Sequence, residues 1–233
     1  MRPETLPTDL DRDGFRLFTD VLEPPVVARL IRFFAEDVEL LRRNGAAYGG
    51  RNLLNSTTIA EVAAAPAVRR LVEPVLGREA RAVRGLFFDK TPEANWPVLW
   101  HQDLSLALAQ KDDVEGWGPW SIKAGVWHVQ PPAEILASML TVRLHLDDCH
   151  SHNGPLRVLP GSHRFGRLSR ERIAELRRTT HEAECLAPAS SALLFRPLLL
   201  HASSPARTPS HRRVIHLEFA AADALPAPLS WVA

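Results

Sequence analysis

The chain has 233 residues, 45% of them hydrophobic, and 28 basic against 27 acidic side chains for a formal net charge of +1. That length suits one domain with a sizeable buried core. The charge balance leaves no electrostatic footprint for nucleic acid or an anionic membrane, and no apolar run approaches the roughly 20 residues that span a bilayer.

Residues 14–22 alternate enough to predict a first strand. Pro24-Pro25 opens a helix through about residue 43, with Val26, Leu30, Phe33, Phe34, Val38 and Leu41 at helical spacing. Gly45, Gly49 and Gly50 break it into a loop. A second helix is predicted over residues 59–76, ending at Gly77. From Ala80 the texture changes to short apolar runs split by turn residues, as in an antiparallel β fold. Strands are expected at 82–89, 98–101, 138–146, 155–160, 182–186, 192–199 and 214–219, with one helix at 169–178. Residues 111–127, with Trp117, Trp120 and Trp127, read as a long loop, and the proline-rich tail after Ala221 as irregular. The sum is a mainly β (α+β) single domain over 1–233. Helices occupy about 1–79, and a double-stranded β-helix, the jelly roll also used by cupins, about 80–221.

The polar start, Met1-Arg2-Pro3-Glu4-Thr5, lacks the apolar core of a signal peptide. Cys149 and Cys185 are too few for a disulfide framework and read as structural free thiols of a reducing, cytoplasmic compartment. Nothing in the sequence marks a hydrophobic face for self-association, so the oligomeric state stays open.

The chemistry is concentrated in Trp100-His101-Gln102-Asp103 and His201. On a strand, successive side chains point to opposite faces, so His101 and Asp103 share one. Two histidines and a carboxylate suit Fe(II), and leave positions open for a cosubstrate and oxygen. An arginine behind such a site, Arg212, can hold the far carboxylate of 2-oxoglutarate. Arg213 alternates to the other face and reads as a solvated arginine. The His-x-Asp pair alone is weak evidence. With ten histidines and twelve aspartates in 233 residues, chance alone supplies about half a match, and His145-Leu146-Asp147 is a second. His150-Ser151-His152 is explained as polar turn residues before Asn153-Gly154. Trp120, Trp127 and His128 are candidates for a substrate pocket or for loop packing. Arg51 and Asn52 follow a glycine loop and could reach the pocket entrance.

In context these pieces gain specificity. Phe87-Phe88-Asp89-Lys90, Trp100 to Asp103, Asn153-Gly154-Pro155 through Pro160-Gly161-Ser162-His163, Leu200-His201-Ala202-Ser203-Ser204 and His211-Arg212-Arg213 follow one another over residues 10–221. The chain thereby resembles the phytanoyl-CoA dioxygenase family. The resemblance implies a double-stranded β-helix and an Fe(II)- and 2-oxoglutarate-dependent dioxygenase that uses O2 and releases succinate and CO2. It implies His101, Asp103 and His201 as iron ligands, Arg212 on the distal carboxylate, and Ser203 and Gln102 as cosubstrate contacts. Arg143 stands on the strand that flanks the cosubstrate pocket, where the family often has an aromatic residue; Lys90 is a further candidate. The substrate is expected to be a small-molecule metabolite, with no nucleic-acid or membrane partner. Two rival classes are a cupin-like metal enzyme without 2-oxoglutarate and a non-catalytic ligand-binding relative.

Overall fold

The computed structural model describes residues 6–36 and 49–232; Val38, Leu41 and Gly45 of the predicted first helix and its break lie outside them. Two sheets face one another. The larger has the strand order β1-β11-β8-β13-β3-β2, and the smaller β10-β9-β12-β4. In chain order the larger sheet takes β1 (Phe15–Phe18), β2 (Gly49–Gly50), β3 (Arg81–Lys90), β8 (Leu140–His145), β11 (Ala192–Phe195) and β13 (Arg212–Ala220). The smaller takes β4 (Val98–His101), β9 (Leu156–Val158), β10 (Ala183–Cys185) and β12 (His201–Ser203). A three-stranded sheet of β5 (Leu106–Leu108), β7 (Val126–Val129) and β6 (Trp120–Lys123) extends the barrel. Every pairing within the three sheets is antiparallel.

Alternation along the large sheet separates the fold from the site. Phe87, Val142, Leu144, Leu194, Ile215, Leu217 and Phe219 form one buried cluster with α1 (Leu6–Asp13), α2 (Pro24–Glu36), α3 (Thr57–Ala64) and α4 (Pro66–Leu76). Phe34 of α2 stacks on Phe87 with ring centroids 3.8 Å apart. Burying side chains of this size contributes about 1.5–3 kcal/mol each, so the helical layer is a main source of stability. The alternate residues of the same strands, including Phe88, Lys90, Arg143, Arg212 and His216, face the smaller sheet and line the barrel interior.

Two predicted elements come out differently. The helix expected over 59–76 is two helices, because Pro66 has no N–H to continue the first. Ala65 before it is extended, at φ −61° and ψ 142°, and Pro66 opens the second. The loop expected over 111–127 contains a hairpin. Trp120 and Ile122 alternate with polar neighbours, and Ala124-Gly125 both adopt positive φ, as a tight two-residue turn requires. Short elements unmarked by the sequence pattern are α1, β2, β5, β12 and α5 (Ala133–Ala137), while α6 (Arg170–Thr179) falls where the helix was predicted. Among the described residues no helix is long and apolar enough to cross a membrane.

Candidate active site

β4 and β12 are neighbouring strands of the small sheet, and their register sets His101 directly opposite His201. Asp103 lies two residues beyond β4, where its N–H donates to the Pro197 carbonyl at 2.9 Å and fixes the chain. The three side chains converge. His101 Nε2 is 3.8 Å from Asp103 Oδ1 and His201 Nε2 is 3.7 Å from Asp103 Oδ2, and all three ligand atoms lie within 4.8 Å of one another. The Nδ1 atoms point the other way, to the carbonyls of Leu99 at 2.8 Å and Leu199 at 2.9 Å. Each carbonyl calls for a proton on Nδ1, which leaves the Nε2 lone pairs turned on Asp103. Burial pushes the His201 imidazole down to about 4, so it is a neutral ligand at physiological pH. Burial works to raise the Asp103 carboxyl, but His201, His216 and His101 around it outweigh that and hold it below its ordinary value. Its Oδ2 is buried with no hydrogen-bond partner. Two imidazole nitrogens and an unsatisfied carboxylate, spaced to share an ion at about 2.0–2.2 Å from each, form a donor set that fits a divalent metal.

The triad opens onto a cavity of about 180 Å³. Lys90, Arg143 and Arg212 bring three cationic groups to its inner end, and Ser203 joins them. Lys90 Nζ donates to Ser203 Oγ at 2.9 Å and to the Ser204 carbonyl. Arg212 Nη1 donates to the Gly154 carbonyl, while its Nε and that of Arg143 are buried without partners. Burial and the charges of Arg212 and Arg143 push the Lys90 ammonium down to about 7. Burial and Arg212 bring the Arg143 guanidinium down to about 9. Its face rests on Phe88, 5.9 Å from the ring centroid. Apolar walls of Leu86, Trp96, Leu156 and Phe195 complete the cavity. Gly154 is required where it stands. At φ +72° a Cβ there would meet the Ser204 carbonyl oxygen at 2.5 Å, so glycine lets the two loops that receive Lys90 and Arg212 close on each other.

The structure brings His101, Asp103, His201, Ser203, Arg143, Arg212 and Lys90 together. It separates Gln102 from them. Alternation turns this residue away from its two neighbours, and its buried amide donates to the carbonyls of Gly166 at 2.8 Å and Leu198 at 2.7 Å and accepts from Leu168 N at 2.9 Å. Gln102 therefore pins the turn after the 3₁₀ segment Ser162–Phe165 and does not line the cavity. The rival pair also divides. Asp147 makes a two-pronged ion pair with Arg213, at 2.7 and 2.8 Å, so Arg213 is anchored and not merely solvated. His145 points into the barrel, where burial and the charges of Arg143 and Arg212 hold it neutral.

His216 is a site residue that motif reading misses. Its Nε2 is buried without a hydrogen-bond partner, 4.0 Å from Asp103 Oδ2 and 3.7 Å from Glu218 Oε1. Glu218 in turn accepts from Arg84 at 3.0 Å. The signal was the spacing of Arg212, His216 and Glu218 at even intervals on one strand, which puts all three on the face of the proposed carboxylate-binding arginine.

A profile of the phytanoyl-CoA dioxygenase family (PhyH) matches residues 10–214. A curated relative from Stutzerimonas stutzeri, a probable alpha-ketoglutarate-dependent hypophosphite dioxygenase, is 28% identical over 150 residues, 58% of this chain and 43% of its own length. The chain thus matches less than half of that relative. EctD from S. alaskensis, solved with 2-oxoglutarate and 5-hydroxyectoine, superposes with a TM-score of 0.71 at 20% identity, covering 95% of this chain and 76% of its own. The non-heme alpha ketoglutarate dependent epimerase SnoN from nogalamycin biosynthesis gives 0.67 at 18% identity, covering 94% and 83%. Identities this low speak for the shared jelly-roll fold.

Proposed function

The chain belongs to the phytanoyl-CoA dioxygenase family, and from that premise we propose that it is an Fe(II)- and 2-oxoglutarate-dependent dioxygenase that oxidises a small-molecule metabolite. One observation carries the reading. His101, Asp103 and His201 converge at one end of a cavity whose other end holds Arg212, Ser203, Arg143 and Lys90. A metal-chelating keto acid with a second carboxylate matches both ends.

In this reading the triad holds the iron, with the buried Nε2 of His201 neutral and Asp103 ionised. When bound, iron and 2-oxoglutarate supply oxygen activation: one atom of O2 goes into succinate as CO2 leaves, and the other oxidises the substrate. The protein's own part is placement. Arg212 and Arg143 each keep a buried, unpartnered Nε, and an arriving carboxylate would satisfy such groups. Ser203 Oγ, held by Lys90 at 2.9 Å, adds a hydroxyl beside them. Phe195 packs against His201 with ring centroids 5.3 Å apart, and with Leu156 it keeps water from the metal's inner side. A cytoplasmic location belongs to the same reading, from the two free thiols.

Anaerobic titration with Fe(II) and then 2-oxoglutarate tests this. The wild type should develop the visible metal-to-ligand charge-transfer band, and His101→Ala should lose it. Tight iron binding with no band would point instead to a cupin-like enzyme, and absence of iron binding to a ligand-binding module.

A further inference from the structure

The metal triad lies between two groups of cations, and the cosubstrate uses only one of them. β3 and β13 pair in register, and their barrel-facing residues form rungs: Lys90 with Arg212, Phe88 with Val214, Leu86 with His216, and Arg84 with Glu218. His216 stands beside Asp103, so the carboxylate end of the triad lies at the Leu86–His216 rung. Along the strands the Lys90–Arg212 rung is four residues away in one direction, about 13 Å. The Arg84–Glu218 rung is two residues away in the other, about 7 Å. An extended 2-oxoglutarate reaching toward Arg212 leaves that second side free.

The second side is built from three elements. Arg84 Nη1 donates to Glu218 Oε1 at 3.0 Å and to the Ser105 carbonyl at 3.3 Å. Lys123 Nζ donates to Ser105 Oγ at 3.4 Å, two residues past the ligand Asp103. Arg51 arrives on the segment after β2, which Asn52 Nδ2 ties to the Ala124 carbonyl of the hairpin turn at 3.5 Å. Asn52 and Ala124, the residues in contact, are both non-glycine residues at positive φ, 55° and 50°. Arg84 stands close enough to Arg51 and Lys123 to disfavour their charged forms, and Arg51 does the same to Lys123. Among the described residues the carboxylate that offsets Lys123 is Glu218, and Glu218 is already engaged by Arg84. Arg84 and Glu218 are covered, whereas Arg51 and Lys123 reach solvent. Three cations held together over one engaged carboxylate leave a positive potential at the outer approach to the metal.

We propose that Arg51, Arg84 and Lys123 form the substrate-recognition site, and that the substrate carries an oxyanion, carboxylate or phosphoryl, which Arg51 and Lys123 grip while its oxidisable end faces the triad. The assignment of this site to the substrate rests on the oxygenase reading above; its affinity for an oxyanion does not.

The test is equilibrium binding of inorganic phosphate at low ionic strength, followed by calorimetry, to anaerobic protein loaded with Fe(II) and saturating 2-oxoglutarate. The cosubstrate keeps phosphate off the inner cations. Wild type should bind saturably, and Arg51→Ala/Lys123→Ala should weaken binding tenfold or more, about 1.4 kcal/mol. Arg177→Ala, an exposed arginine on α6 outside the barrel, should match wild type. Both exposed replacements leave the buried Arg84–Glu218 pair intact, so folding is not at stake. Acetate in place of phosphate, with the same dependence on Arg51 and Lys123, would assign the carboxylate form. No saturable binding by wild type, or equal affinity in the double variant, would overturn the proposal. A charge-transfer band with phosphate binding indifferent to Arg51 and Lys123 defeats this inference alone. No band, with phosphate binding still dependent on them, defeats the oxygenase reading and leaves an oxyanion site.

Discussion

Replacing Arg143 by leucine should make the ligand-free protein more stable and the cosubstrate complex weaker. The guanidinium is buried on β8, its Nε has no partner, and the contact it makes is with the face of Phe88 at 5.9 Å. Bringing an arginine from 12.5 down to about 9 corresponds to about 5 kcal/mol at about 1.4 kcal/mol per tenfold, an upper bound on what its charge costs the fold. The stacking on Phe88 returns about 1–2 kcal/mol in a desolvated site. A leucine of smaller volume keeps apolar contact with Phe88 and removes the charge, so a net gain of about 1–3 kcal/mol is expected. For a domain of this size that is roughly 2–10 °C in thermal midpoint. Saturating 2-oxoglutarate should reverse the order, because wild type gains more from the ligand than the variant, whose dissociation constant should rise tenfold or more. Thermal denaturation with and without cosubstrate reads both effects. A ligand-free variant that melts below wild type, with cosubstrate affinity unchanged, would show that Arg143 is a structural cation and would refute the reasoning.

Cosubstrate affinity should also depend on pH through Lys90. Burial and the neighbouring arginines push its ammonium down to about 7, so the ligand-free site loses this charge as pH rises through neutrality. A dianion favours the protonated form. Binding above pH 7 must therefore take up a proton, and the dissociation constant should climb toward tenfold per pH unit. Lys90→Met should bind more weakly at pH 6 and lose the pH slope; a flat wild-type profile from pH 6 to 9 would contradict this. Gln102→Leu strands two buried carbonyls and one N–H. It should destabilise the protein by about 2–4 kcal/mol while leaving 2-oxoglutarate affinity within about threefold. An unshifted melting curve with a tenfold loss of affinity would restore Gln102 as a cosubstrate contact.

Where the sequence was legible, short-range physics did the writing. The strand at 98–101 and the helix near 170–179 follow from local alternation, spacing and a serine cap, since Ser169 Oγ accepts from Arg172 N at 3.2 Å. Period-two alternation put Arg212 and Arg213 on opposite faces, and the spacing from His201 favoured Arg212; the fold places Arg212 in the cavity and Arg213 on Asp147. What failed was long-range. A periodic helix over 59–76 hid the break at Pro66, and tryptophan-rich texture hid the 120–129 hairpin. Gln102 was read as a site residue by its place inside the ligand pair, although the same alternation turns it outward. Even spacing with Arg212 puts His216 on the inward face of β13, but its place beside Asp103 depends on how the two sheets face one another, which no local pattern states.

The charge distribution carries the same lesson furthest. A net charge of +1 reads as an absence of electrostatic purpose. Folding segregates that charge. Lys90 and Lys123, two of only three lysines in the chain, stand on opposite sides of the metal triad, each among arginines. Acidic residues are elsewhere engaged: Asp147 by Arg213, Glu218 by Arg84, Glu182 by Arg157 at 2.8 Å. Burying unneutralised cations opposes folding, and protein interiors avoid it unless an anion arrives. In the proposed function the inner group would have one in the cosubstrate's distal carboxylate. The outer group differs, since water solvates Arg51 and Lys123; what it offers is a positive potential that would draw in a second anion on the other side of the triad. A chain neutral in sum can thus be a receptor for two anions, with the metal between them.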